Sequence, residues 1–140
     1  MDDTIVYAKE LKARGIDVID CSSGGLFGSA TAARVKRTWG FQVPYAERVR
    51  REAGIQSMAV GLIVDPFHAE DILQKGQADL IAIAREALVN PCWPQMAEIA
   101  LGRKAFDAMD DWPVQYGWWL KLRERAMEQI RADEAAAHKG

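Results

Sequence analysis

Apolar and polar positions along the chain switch repeatedly between a helical and an extended period. Ile5, Ala8 and Leu11 recur at helical spacing, acidic residues precede them and Gly15 comes after, so Thr4–Arg14 reads as a helix. Asp17–Ser22 (DVIDCS) reads as a strand that runs into Ser-Ser-Gly-Gly, and a long loop over Gly24–Val43 carries Gly28, Arg34, Lys36, Arg37 and Trp39. Pro44 opens a second helix with Tyr45, Ala46, Val49 and Ala53 facing inward and Gly54 closing it. Ser57–Val64 (SMAVGLIV) is the next strand. Asp65 as N-cap and Pro66 at the first position start a third helix, with Phe67, Ile72 and Leu73 on its apolar side and Gly76 at its end. The chain is organised around the next stretch, Ala78–Pro91 (ADLIAIAREALVNP). Its run Leu80–Ala84 lacks polar alternation and suits a strand buried on both faces; a short helix to Val89 comes after it.

The order is thus helix, strand, helix, strand, helix, strand, helix. Such alternation over short connections predicts an α/β fold with parallel strands and right-handed crossovers. Ligands in these sheets sit at the carboxyl ends of the strands. That places candidate chemistry at Ser22–Gly25, Gly61–Asp65 and Ala84–Arg85. Arg85 is a cation at a strand tip beside the free N–H groups of a helix start, an arrangement suited to phosphate. An Arg paired with a neighbouring carboxylate is the alternative reading. Gly61 inside an apolar strand implies a close backbone or ligand approach, or simple packing in a crowded barrel.

Composition narrows the classes. One hundred and forty residues, nearly half of them apolar, suffice for one domain with a core. The net charge of −2 and the absence of a basic stripe argue against nucleic acid as partner. No apolar run reaches the ~20 residues of a membrane span. The start, MDDTIVYAKE, lacks the basic and apolar regions of a signal peptide. Cys21 and Cys92 form no CxxC pair, so neither a disulfide nor a zinc site is expected, and a reducing, cytoplasmic setting is the default. Both cysteines read as small apolar fillers. No metal site and no catalytic residue is assigned: His68 and His138 read as solvated surface residues, and Asp20 as a buried carboxylate in a structural ion pair.

From Asp110 the character changes. Trp112, Tyr116, Trp118 and Trp119 precede a charged run in which Leu120, Arg123, Met127 and Ile130 keep helical spacing, suited to docking on another surface or to covering the rest of the chain. ADEAAAHKG at the end reads as a frayed helix or disorder.

Four stretches in order, VIDCSSGG, GFQVPYAERVRREAGI, AVGLI and ADLIAIAREALVNPCWP, together with Pro113-Val114-Gln115-Tyr116, resemble the C-terminal half of the old yellow enzyme family. The likeness is to its shorter bacterial branch of FMN-dependent NAD(P)H:flavin oxidoreductases and ene-reductases. It implies a partial (β/α)8 TIM barrel in which the three predicted strands are the sixth, seventh and eighth. Residues 1–109 would be the C-terminal half of that flavin-binding barrel and 110–140 a helical extension. It implies that Ala84 and Arg85, with Val60, Gly61 and Leu62, hold the FMN phosphate. NAD(P)H would be the reductant and an enone-type small molecule the substrate of the whole enzyme. The family usually has Gly where this chain has Ala84, so a methyl group is added beside the phosphate. The first five strands, which carry the family's catalytic groups, have no counterpart here. A three-strand piece has open edges, so self-association into a homo-oligomer or pairing with a complementing N-terminal half is expected. The competing reading is a non-catalytic phosphate-binding or assembly half-barrel.

Overall fold

The computed structural model describes residues 1–23 and 36–138. By compactness the chain divides into two units, Met1–Val89 and Asn90–Gly140. This division falls ahead of the 109/110 boundary that composition suggests.

In the first unit, helix α1 (Asp2–Ala13) buries Ile5 and Ala8. Strand β1 (Val18–Cys21) comes next, then helix α2 (Val43–Ala53), which buries Val43, Ala46, Val49 and Ala53 and ends at Gly54. Strand β2 (Gln56–Ala59), helix α3 (Pro66–Gln74), strand β3 (Leu80–Ile81) and helix α4 (Arg85–Val89) complete the unit. The sheet is parallel with order β1-β2-β3, Val18 opposite Gln56 and Met58 opposite Leu80. The alternating pattern therefore holds, and Asp65 caps α3 as its sequence position predicts, its carboxylate accepting from the His68 N–H at 3.1 Å. The core lies around the sheet, where Ala46 and Val49 of α2, Ala59 of β2 and Ile72 of α3 are almost fully buried.

Two strands are shorter than the apolar pattern predicts. Instead of running over Ser57–Val64, β2 stops at Ala59, because Gly61 (φ +125°) and Leu62 (φ +55°) leave the extended region altogether. Instead of a strand over Leu80–Ala84 buried on both faces, β3 covers only Leu80–Ile81, and Leu80 is 46% exposed. Past Ile81 the Ala82 N–H still donates to the Ala59 carbonyl at 2.8 Å, but the strand goes no further, and among the described residues nothing pairs with its outer edge. Phe67, expected on the buried side of α3, is also mostly exposed.

At the amino ends of β2 and β3, Asp79 ties two segments together. Its carboxylate accepts from Arg50 Nε at 2.9 Å and from the Ser57 N–H at 3.0 Å. Burial pushes this carboxyl up, but the Ser57 hydrogen bond and the bond and charge of Arg50 together outweigh it, and Asp79 stays below the ordinary 3.8.

The second unit contains helix α5 (Trp93–Ala100), helix α6 (Ala105–Ala108), a 3-10 turn (Met109–Asp111) and helix α7 (Val114–Ala137). Trp93, Ala97, Ala108 and Met109 are buried. Lys121 and Arg125 of α7 lie 4.8 Å and 5.0 Å from the centre of the Phe106 ring. Gly117 packs against the Met109 carbonyl so closely that a Cβ would stand 2.4 Å from its oxygen. Trp118 and Trp119 stack edge to face at 4.6 Å and remain more than half exposed. The end of α7, expected to fray past Arg131, stays helical to Ala137, in keeping with its Ala-rich sequence and a Gln129–Asp133 hydrogen bond of 2.8 Å. No helix among the described residues is long and apolar enough to cross a membrane.

Candidate functional site

The carboxyl ends of β2 and β3 open into a cleft of about 410 Å³. Its walls include all five residues assigned to phosphate from the sequence: Val60, Gly61, Leu62, Ala84 and Arg85. Trp39, Phe41 and Gln42 close the side nearest α2, and Glu86 and Val89 line it from α4. The parallel register produces this meeting, since adjacent strands pointing the same way bring their terminal turns together.

The donors in the cleft are largely unspent. Among the described residues, Arg85 makes no ion pair and no side-chain hydrogen bond, so the carboxylate pairing that would have explained it is absent. The N–H groups of Gly61, Leu62, Ala84 and Arg85 donate to no carbonyl or side chain among those residues. Consecutive N–H groups in a positive-φ turn form a concave nest for an anion. Glu86 lines the same cleft and offsets part of the guanidinium's charge. One flexible cation and several fixed amides match the donor set of a phosphate better than that of a metal ion. Among the described residues no cluster of His, Cys, Asp and Glu has the makings of a metal site.

Leu62 is the one described non-glycine residue with positive φ. Such strain persists only where neighbours enforce it. Two bonds do so here: the Gly40 N–H donates to the Gly61 carbonyl at 2.9 Å, and Gln42 Nε2 donates to the Val60 carbonyl at 3.3 Å. Neither a close approach nor crowding alone accounts for Gly61. The residue is glycine because its φ of +125° demands it and because a Cβ would lie 3.1 Å from both Gln42 Nε2 and Phe41 Cε1.

The other sequence candidates fall elsewhere. Ser23 meets the side chain of Gln42, whereas Gly24 and Gly25, with Gly28 and Arg34 of the long loop, lie outside the described residues. Asp20 is exposed and has no ion pair among the described residues, which corrects the expected buried pair; on β1 it points away from the buried Cys21 side. Cys21 is a buried free thiol, pushed up to about 11 by burial and by the charge of Asp20, so it fits the role of apolar filler. His68 is half-buried against Gly40 rather than solvated, while His138 is exposed. Sequence reasoning misses Gln42. A lone polar residue in the apolar run FQVPYA, just ahead of a Pro-opened helix, is the available signal.

The model of the NADH:flavin oxidoreductase / NADH oxidase family matches residues 1–104. The chain belongs to this family. Family membership bears out the old yellow enzyme resemblance, and FMN and NAD(P)H are the cofactors it implies. The chain is 45% identical over 118 residues to an NADPH dehydrogenase of Geobacillus thermodenitrificans, a stretch that covers 83% of the chain and 32% of that relative. It is 48% identical over 100 residues to an NADPH dehydrogenase of another Geobacillus strain, covering 71% and 28% respectively. An NADPH dehydrogenase of Halalkalibacterium halodurans is 49% identical over 102 residues, covering 73% and 29%. The chain thus spans a little under a third of the length of the curated relatives it matches.

Proposed function

We propose that this chain is the part of an FMN-dependent NAD(P)H oxidoreductase that holds the FMN phosphate, with β1, β2 and β3 as the sixth to eighth strands of a (β/α)8 barrel. The observation that carries this reading is Arg85, unpaired among the described residues, lining one cleft with the strained Gly61–Leu62 turn. When bound, FMN would supply the redox chemistry, taking hydride from NAD(P)H and delivering it to an activated C=C bond in the whole enzyme. The chain's own work is electrostatic. Arg85 neutralises phosphate charge, and the N–H groups at Gly61, Leu62 and Ala84 point fixed dipoles at the anion without reorganisation. The methyl of Ala84 borders the seat without filling the space that the cleft retains.

Titration of FMN into the protein, followed by flavin fluorescence, tests the proposal. Arg85→Ala weakens binding by about 1–3 kcal/mol, roughly 5- to 150-fold, and the solvent exposure of the guanidinium favours the lower end. Glu86→Gln acts in the opposite direction by removing a repelling charge. A protein that stays colourless with saturating FMN, or an Arg85→Ala variant of unchanged affinity, overturns the reading.

The exposed flank beside β3 supports a second reading, assembly. Leu80, Leu88 and Val89 are 46%, 83% and 81% exposed next to an edge without a partner among the described residues. A second copy, or a complementing N-terminal half, would cover them. Light scattering that gives a monomer at all concentrations, with no shift on adding such a half, would refute it.

A further inference from the structure

We propose that Gln42 is a positioning residue for the cleft, holding the Gly61–Leu62 turn in the shape that aims its N–H groups at an anion. The inference rests on the phosphate reading above and adds to it a residue that touches no phosphate itself. The side chain of Gln42 is buried, and its residue is only 5% exposed. A buried amide is costly unless both ends are satisfied. Here they are. Oε1 accepts from the Ser23 N–H and from Ser23 Oγ at 2.9 Å, and Nε2 donates to the Val60 carbonyl at 3.3 Å. The chemistry of the partners fixes the orientation of the amide, since a backbone N–H only donates and a carbonyl only accepts.

The consequence is mechanical. Ser23 lies just past the end of β1 and Val60 just past the end of β2, so one side chain at the head of α2 bolts two strand tips together. The bolt sits directly before the two positive-φ residues, and its Nε2 and Cγ lie 3.1 Å and 3.2 Å from where a Cβ on Gly61 would stand. Without it, the turn keeps the Gly40–Gly61 bond but loses its side-chain tether at Val60, and Leu62 has reason to leave its positive φ. The N–H groups of Gly61 and Leu62 would then lose their common aim. The glutamine amide carries both the acceptor that Ser23 needs and the donor that Val60 needs, whereas a carboxylate of the same length carries only acceptors.

FMN titrations and the ³¹P NMR shift of bound FMN, measured on the whole chain, separate the outcomes. In parent protein FMN binds, and Arg85→Ala weakens it. Gln42→Leu, at a temperature where circular dichroism shows it folded, weakens FMN about tenfold, the scale of one or two lost hydrogen bonds, and moves the ³¹P shift of the bound ligand toward the free value. A purely structural role would lower the melting temperature and leave that shift alone. If Gln42→Leu does not fold, Gln42→Glu keeps the acceptor for Ser23 and loses the donor to Val60, and the same two changes are expected. A folded variant that binds FMN within twofold of parent with an unmoved ³¹P shift overturns the inference while the phosphate reading stands. Failure of both variants to fold also overturns it, by assigning Gln42 to the core. Failure of the parent to bind FMN, or an unaffected Arg85→Ala, overturns the phosphate reading and this inference with it.

Discussion

Replacing Gly61 by Ala perturbs the turn at its most constrained point. Two costs can be worked from the geometry. The φ of +125° lies where an L side chain is strained by about 1–3 kcal/mol. The new methyl would also sit 3.1 Å from Gln42 Nε2 and Phe41 Cε1 and 3.2 Å from Gln42 Cγ, closer than ordinary contact. Gln42 is buried and bonded at both ends, so it yields only by weakening the Val60 bond; overpacking of this kind adds on the order of 1 kcal/mol. The sum is about 2–4 kcal/mol. With a urea slope of about 1–2 kcal/mol/M, the unfolding midpoint falls by roughly 1–4 M. Gly15→Ala is the internal control: its φ is +90° and nothing stands within 4 Å of its Cβ, so it carries strain without contact. Urea unfolding followed by circular dichroism should rank parent above Gly15→Ala above Gly61→Ala. Equal midpoints for the two variants would refute the contact with Gln42, and a Gly61→Ala midpoint equal to parent would refute the turn geometry itself.

Two further outcomes come from the packing. Asp79 has a folded value below its ordinary 3.8, so the stability it contributes is fully present above that pH and is lost as the pH falls through the lower folded value. Asp79→Asn should therefore flatten the acid limb of the stability profile below about pH 4 and, at pH 7, lower stability by about 1–3 kcal/mol, read from urea midpoints between pH 3 and pH 7. Gly117→Ala would drive a methyl to 2.4 Å from the Met109 carbonyl oxygen, and the 3-10 turn or α7 must shift. A loss of about 3 kcal/mol is expected in the second unit, seen as an earlier tryptophan fluorescence transition; an unchanged transition would sink the packing assignment.

Whatever local chemistry decides is legible in the sequence. Pro44 and Gly54 bracket α2, and Asp65 and Pro66 start α3, because caps and prolines act within one turn of chain. The five candidate residues converge because parallel register carries each strand tip to the next. Strand length is not legible. SMAVGLIV has no polar side chain after Ser57, yet hydropathy is blind to the positive φ of Leu62, which depends on bonds from Gly40 and Gln42. The pattern overestimates the burial of Leu80 because an apolar run records the environment a strand suits, and β3 has an open edge among the described residues. Gln42 escapes a local reading because its partners, Ser23 and Val60, are 19 and 18 positions away along the chain.

Every wall of the cleft comes from the contiguous run Trp39–Val89, within one compact unit. Upstream residues hold this run at several points: Ser23 bonds Gln42, β1 pairs with β2, Arg48 donates to Asp2 and Lys12 donates to the Gly54 carbonyl. On the reading proposed above, a recombination junction ahead of α1 would carry the cleft as one cassette, together with the helix and the strand that pack against α2 and β2. On that reading, the seat for the anion and the chemistry built above it would evolve on separate clocks.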